Sequence, residues 1–448
     1  MKKNIIVAKF GGVSVQTSHS IENIYNIINN NKNIKIIVIS AVGNTTNLLL
    51  SLCHNNIDKQ EKKKIINEIL QIHNNLSEKL GLNLNNQIES RLNKTSKLII
   101  NSKRFSKKKI DEILSTGEDL SSLIIHEYLL IKNINTKLLD SRNYIITDNN
   151  FGSAIPNIKT IKEKFLLLSN KICIMQGFIG STTNNLTTTI GRGGSDYSAA
   201  IIAEAIQANE LLIYTDVSGV YTTDPNIVSK AKLINELNFQ EMAEMANFGA
   251  KILHPATVEP CIRANIPIRI ISTFNSEDKG TLIDFLKITD EERTTKIKAI
   301  TIRKNQILVT IQSSKMLNAY GYVANIFRVL AKYKLSIDII ATSEVRVSLT
   351  INEIGLGSHG NNPFLKNESL MNELKQFAKV YVENDLTLIS IIGTNLISPG
   401  IVQNILNIIK GYKIRLICYG ASSSNIGILI DKNYDEKVLK LLHKKLIG

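Results

Sequence analysis

Nowhere in the 448 residues does an apolar run approach the ~18 that a membrane-crossing helix needs, so no such span is expected. The opening, Met1-Lys2-Lys3-Asn4-Ile5-Ile6-Val7-Ala8, is basic, but its apolar stretch ends at Lys9. That is too short for a signal peptide, and a cytoplasmic chain is expected. Cysteine is scarce. Cys53, Cys173, Cys261 and Cys418 lie far apart in apolar settings, which leaves no zinc spacing and suits reduced, buried thiols. Tryptophan is absent and aromatic residues make up only 6%. This bears on the charge, because 54 basic against 39 acidic residues leave a net +15. Such a balance fits a nucleic-acid footprint only where basic side chains interleave with aromatics. Here they are scattered among Asn and Ile, as in Asn29-Asn30-Asn31 and Lys62-Lys63-Lys64, which reads as compositional drift. The one dense cluster, Lys103-Arg104 with Lys107-Lys108-Lys109, precedes a helix and reads as a solvated face. No nucleic-acid or membrane partner is expected.

What is present is an ordinary globular composition, 43% hydrophobic, long enough for about three domains at roughly 150 residues each. The first 290 residues alternate short apolar runs with amphipathic stretches. Asn4–Lys9, Ile34–Ser40, Ile172–Gln176, Leu211–Thr215 and Ile268–Ile271 read as buried strands, and Ile21, Ile24, Tyr25 and Ile28 fall at helical spacing. Continuous apolar strands alternating with helices predict an α/β fold: an open, largely parallel sheet with helices on both faces. Ligands of such sheets collect where strands lead into helices.

After about residue 296 the rhythm changes. Strands at Gln306–Gln312, Ser336–Ala341, Val345–Ile351 and Lys379–Glu383, with helices at Tyr322–Tyr333 and Lys366–Ala378, make a ferredoxin-like βαββαβ unit. Residues 386–446 repeat it at an offset of 79, which aligns Gly321 with Gly400, Asn325 with Asn404 and Ile326 with Ile405. The second copy is one strand short. Lys298–Arg303 is placed to supply it, so the two modules, 297–383 and 384–448, are expected to interleave.

Five segments carry candidate chemistry. In Lys9-Phe10-Gly11-Gly12-Val13 two glycines allow close approach of a phosphate and the lysine adds a charge. Gly191-Arg192-Gly193-Gly194-Ser195-Asp196 places an arginine and glycines at a helix start, an anion pocket in which Arg192 can clamp a carboxylate. In Ser115-Thr116-Gly117-Glu118 a helical glycine beside an acid suggests close ligand approach, with Glu118 a partner for an ammonium. Thr215-Asp216 through Tyr221 to Asp224-Pro225 forms a polar loop suited to a base and ribose. Gly249-Ala250-Lys251 offers a second lysine, while His254, before a proline, reads as a structural helix-end residue.

Together these segments, in this order and followed by the repeat, resemble the aspartate kinases of the amino-acid kinase family, with paired C-terminal ACT domains. The monofunctional, lysine-sensitive type is nearest. The resemblance implies a carbamate-kinase-like catalytic domain over residues 1–290 and phosphoryl transfer from ATP, with Mg²⁺, to the side-chain carboxylate of L-aspartate. That is the first step toward lysine, threonine and methionine. It implies that Lys9 and Lys251 stabilise the transferring phosphoryl group, that Gly11 and Gly12 donate backbone N–H groups to it, and that Asp196 organises the lysines. Arg192 and Glu118 hold the α-carboxylate and ammonium of aspartate, with Ser40, Thr46 and Ser195 lining the pocket. Thr215, Asp216, Tyr221 and Asn226 hold the nucleotide. Met316, Ala319, Tyr322, Val323, Ser336, Ile337, Asp338, Ser343 and Glu344 match an L-lysine effector site in the first ACT module only, since the second copy carries Ile417 and Ser423 instead. A homodimer or homotetramer through these modules is implied.

Departures fall at Val13, where the family has threonine, at Asn226, where relatives carry arginine, at Val42-Gly43-Asn44, and at Ala319, which replaces a serine. They predict weaker ATP affinity and altered effector potency. Two rival readings are a kinase for acetylglutamate or carbamate, and an inactive amino-acid sensor or assembly protein of the same fold. Glu118 with Arg192 argues against the first, and the presence of Lys9, Asp196 and Lys251 against the second.

Overall fold

Ile34-Lys35-Ile36-Ile37-Val38-Ile39 is a β-branched run with no polar face, and in the computed structural model it forms a strand buried on both sides. The structure describes residues 4–54, 57–102, 104–166, 171–191, 193–249, 253–275, 278–285, 295–352 and 367–448. They fall into two units. The first comprises 1–220, 233–243 and 251–286, and the second 221–232, 244–250 and 287–448. Residues 221–232 and 244–250 thus pack with the C-terminal part, which differs from a catalytic domain running unbroken to 290.

The elements of the first unit, in chain order, are β1 (Ile6–Phe10), α1 (Ser18–Asn30), β2 (Ile34–Ile39), α2 (Thr45–Ser51), α3 (Lys59–Lys79), α4 (Asn85–Asn101), α5 (Lys107–Leu114), α6 (Thr116–Ile131), β3 (Thr136–Leu139), β4 (Ile146–Thr147), α7 (Ile158–Phe165), β5 (Ile172–Gln176), β6 (Ile179–Thr182), β7 (Thr187–Thr189), α8 (Gly194–Ile206), β8 (Glu210–Thr215), β9 (Glu236–Asn238), α9 (Phe239–Asn247, its end in the second unit), α10 (Pro255–Ala264), β10 (Ile268–Ser272) and β11 (Thr281–Asp284). The main sheet runs β3-β5-β2-β1-β8-β10-β11-β9 and is parallel from β3 to β10. The chain leaves central β1 for β2 on one side and returns as β8 on the other, so a crevice opens at the carboxyl ends of these strands. Ile21, Ile24 and Ile28 of α1 are buried against it, each side chain contributing about 1.5–3 kcal/mol. No helix among the described residues is long and apolar enough to cross a membrane. None of the four cysteines is in a disulfide, but only Cys173 and Cys261 are buried; Cys53 and Cys418 are half-buried.

The second unit holds one six-stranded sheet built on two long strands, β12 (Lys296–Gln312) and the strand Lys379–Thr394. The first half of β12 pairs with the second module, Ile300 opposite Ile391, and its second half with the first module, Val309 opposite Leu349 and Val382. Each module therefore borrows half of the same strand. The repeat is exact at Gly321 and Gly400, both left-handed caps (φ +73° and +85°) before the helices Tyr322–Lys332 and Ile401–Ile408. The edge strand is shorter than its pattern suggests, only Ile340–Thr342. The loop 221–232 is anchored here: Ile300 N–H donates to the Thr222 carbonyl, and Val228 lies in the core of the second module.

Candidate active site

At the carboxyl end of β1, Lys9 is buried and its Nζ lies 2.6 Å from Asp196 Oδ1. Asp196 occupies the first turn of α8, where the helix dipole favours a negative charge. It is not the cap; Gly193 holds that position with φ +68°. A Cβ on Gly193 would come within 2.3 Å of His254 Cβ, so this glycine lets α8 and α10 meet. His254 caps α10, its Nδ1 accepting from the Ala256 N–H, the structural role expected of it. The α8 start is held over the strand ends in two further ways. Gly177 leaves no room for a Cβ beside Ser195, and the Phe178 N–H donates to Ser198 Oγ.

The turn after β1 is pinned on both sides. Gly12 lies where a Cβ would be 3.1 Å from the Ala41 carbonyl, and its own carbonyl accepts from the Gly43 N–H. The Gly11 N–H donates to the Tyr214 carbonyl at 3.1 Å. This corrects the expectation that Gly11 offers its N–H to phosphate: its backbone is already committed, and its remaining contribution is space, since a Cβ would lie 3.3 Å from Lys9 Nζ. Ser14, which the sequence reading missed, is buried and hydrogen-bonds Thr273 Oγ1 at 2.7 Å, while Phe10 stacks on Tyr214. Val13 is exposed, a methyl surface where a hydroxyl would face solvent.

Glu118 is fully enclosed in α6. Its Oε1 accepts from the Ala41 N–H at 3.2 Å, and its Oε2 has no partner among the described residues. Burial, only partly offset by that hydrogen bond, pushes its carboxyl up to about 8. Ser40, just after β2, and Thr46, in the first turn of α2, are both half-buried. The neighbouring Asp119 is held by Arg142 in a two-armed pair (2.7 and 3.1 Å), and Arg142 also reaches Ser115 and Thr187. Neither Arg142 nor Asp119 stood out in the sequence, since an isolated Arg carries no local pattern.

Gly117 has a different cause from close ligand approach. A Cβ there would lie 2.8 Å from Ala41 Cβ, so the glycine serves the packing of α6 on the β2–α2 turn. Gly117→Ala should cost about 1–3 kcal/mol of stability, read as a lower urea midpoint; an unchanged midpoint would remove this packing role.

Thr215 ends β8 and Asp216 follows it, with the Thr215 hydroxyl donating to Asp216 Oδ1. Arg192 and Lys251 lie outside the described residues. Tyr221 and Asn226 belong to the second unit, where the Asn226 side chain is engaged by Asp224 at 3.1 Å.

Of the effector candidates, Met316, Tyr322, Val323 and Ile337 pack against one apolar cluster of the first module. Asp338 pairs with Arg303 at 3.2 Å and leaves its buried Oδ2 without a partner among the described residues. Arg303 also donates to the Asn247 carbonyl. Ala319, Ser336, Ser343 and Glu344 are exposed.

Residues 4–272 match the model of the amino acid kinase family and residues 389–446 that of an ACT domain. The chain is 37% identical over 451 residues to lysine-sensitive aspartokinase 3 of Escherichia coli (strain K12), covering 99% of each. The structure resembles that of E. coli aspartokinase III in complex with aspartate and ADP (TM-score 0.89, 37% identity) and in complex with lysine and aspartate (TM-score 0.81, 36% identity). Each superposition covers 99% of this chain and all of the other.

Proposed function

This chain belongs to the amino acid kinase family, among the aspartokinases, and on that premise we propose that it transfers the γ-phosphoryl group of ATP to the side-chain carboxylate of L-aspartate, giving 4-phospho-L-aspartate and ADP. The attacking oxygen is already anionic, so no general base is required. The difficulty is bringing two anions together, and positioning with charge neutralisation supplies the rate. Lys9, aimed by Asp196, receives the charge that develops on the transferring group, and Lys251 is assigned beside it. Gly12 keeps the turn close-packed. Thr215 and Asp216, with Tyr221 and Asn226, are assigned to the nucleotide.

The observation that carries the substrate is Glu118: a buried carboxylate with one oxygen unengaged calls for a cation, and the α-ammonium of an amino acid supplies it. Arg192 is assigned to the α-carboxylate, with Ser40, Thr46 and Ser195 lining the pocket. Among the described residues no three His, Cys, Asp or Glu side chains gather to hold a metal. Mg²⁺ is assigned to the co-substrate as MgATP. Trapping aspartyl phosphate as the hydroxamate tests the activity. ATP-dependent product from aspartate but not from acetylglutamate or carbamate is expected, and none from aspartate would defeat the reading.

We assign L-lysine as effector of the first module. Its ammonium would be drawn to the free Oδ2 of Asp338 and would compete with Arg303 for that carboxylate. Asp338→Asn should raise the lysine concentration for half-inhibition at least tenfold with kcat unchanged; inhibition like that of the wild type would dismiss Asp338 as a ligand. A homodimer or homotetramer through this unit is supported by its exposed edge strand at Ile340–Thr342, and light scattering would read its mass.

A further inference from the structure

We propose that Asp111 is a positioning residue for the chain at Thr189–Gly191, and through it for the α-carboxylate of aspartate. The proposal rests on the assignment of Arg192 to that carboxylate. Asp111 stands on α5, fully buried, and forms no ion pair among the described residues. Its Oδ2 accepts from the Gly152 N–H at 2.9 Å and the Thr189 N–H at 3.0 Å, and its Oδ1 from the Thr189 hydroxyl at 2.8 Å. Burying a carboxylate is costly, and hydrogen bonds of this kind offset part of that cost. The packing of α5 alone does not call for such a group.

What these bonds hold is specific. Thr189 ends β7, two residues before Gly191. Gly152 belongs to the loop against which Gly191 lies: a Cβ on Gly191, whose φ is +83°, would be 3.5 Å from Ser153 Oγ and 3.7 Å from the Gly152 carbonyl. The same loop donates from the Ala154 N–H to the Thr189 carbonyl. Asp111 thus ties the end of β7 and the neighbouring Gly152 loop to one helix. That helix runs through Ser115 directly into α6, which carries Glu118. The chain at Thr189–Gly191 and Glu118 are thus tied to the same pair of consecutive helices.

The test uses the full chain and compares KM for aspartate with kcat, KM for ATP and Tm. Asp111→Ala should raise KM for aspartate at least tenfold with kcat and KM for ATP within threefold. Asp111→Asn should stay near wild type, because its carbonyl oxygen can face both N–H groups and its amide can donate to Thr189 Oγ1. Thr189→Val, which removes one bond of three, should raise KM for aspartate by about two- to fivefold. A wild-type KM for aspartate in Asp111→Ala, or KM values for both substrates rising together with a lowered Tm, would reduce Asp111 to a structural residue. Should Asp111→Ala not fold, an unchanged KM in Thr189→Val overturns the proposal. Arg192→Ala separates the two layers: unchanged aspartate KM there overturns the assignment of Arg192 itself, whereas a raised KM there with none in Asp111→Ala overturns only the positioning role.

Discussion

Lys9→Met is expected to lower kcat by about 10²–10³-fold, with KM for aspartate changed only a few-fold. Two like unit charges 4 Å apart repel by about 4 kcal/mol at an effective dielectric of 20, which is about 10³ in rate. One ammonium at the point of transfer offsets a barrier of that order. Lys9 is suited to the task because β1 is central, its side chain is buried, and Asp196 fixes Nζ at 2.6 Å. Methionine keeps the length and the packing while removing the charge. It also leaves Asp196 without its partner, and that bare carboxylate would itself repel a phosphate. The double variant Lys9→Met with Asp196→Asn separates the effects: no recovery of kcat is expected. A kcat for Lys9→Met within tenfold of wild type would end the assignment.

The second large effect is on pH. With the Glu118 carboxyl pushed up to about 8 by burial, the empty site is mostly protonated at neutral pH, and an ammonium binds only after that proton leaves. KM for aspartate should therefore rise about tenfold for each pH unit below 8 and level off above it. Glu118→Gln should abolish this slope and hold KM about 10²-fold above the wild-type value at pH 8. A flat wild-type profile between pH 6 and 8 would mean that Glu118 does not meet the ammonium. The stability consequence has the opposite sense to an ion-paired carboxylate. The folded state binds the proton more tightly than the unfolded chain, whose value is near 4.5, so folding takes up a proton between these limits. This contribution is fully present below about 4.5 and is lost as pH rises through 8. Glu118→Gln should accordingly have a higher Tm than wild type at pH 8, while aspartate should raise the Tm of the wild type more than that of the variant.

Much of the architecture is legible from neighbouring residues alone. The apolar runs at Ile34–Ile39 and Ile172–Gln176 become buried parallel strands within a residue of their patterns, because a largely apolar strand has nowhere to go but the middle of a covered sheet. The 79-residue repeat and the orphan strand near Lys298–Arg303 foreshadow a shared sheet, because a module missing one strand leaves an edge that the same chain can fill. The glycine-rich turns mark strand ends for the same local reason: only there does the backbone need left-handed angles or close approach, as at Gly193.

What these residues touch was decided by the tertiary structure. Glu118 becomes a buried acid only because α6 is laid across the end of β2, 77 residues away, where the Ala41 N–H meets it. Asp111 reaches Thr189 across 78 residues, and nothing in its own helix marks it. Gly11 loses its N–H to β8, a partner that exists only once the sheet closes, and Gly117 is explained by Ala41 rather than by a ligand. Hydrogen bonds and desolvation act over a few ångströms in space, whereas periodicity, capping and turn chemistry act over a few residues along the chain. The second kind of information is written in sequence order. The first depends on which crossovers bring distant segments to the same strand ends.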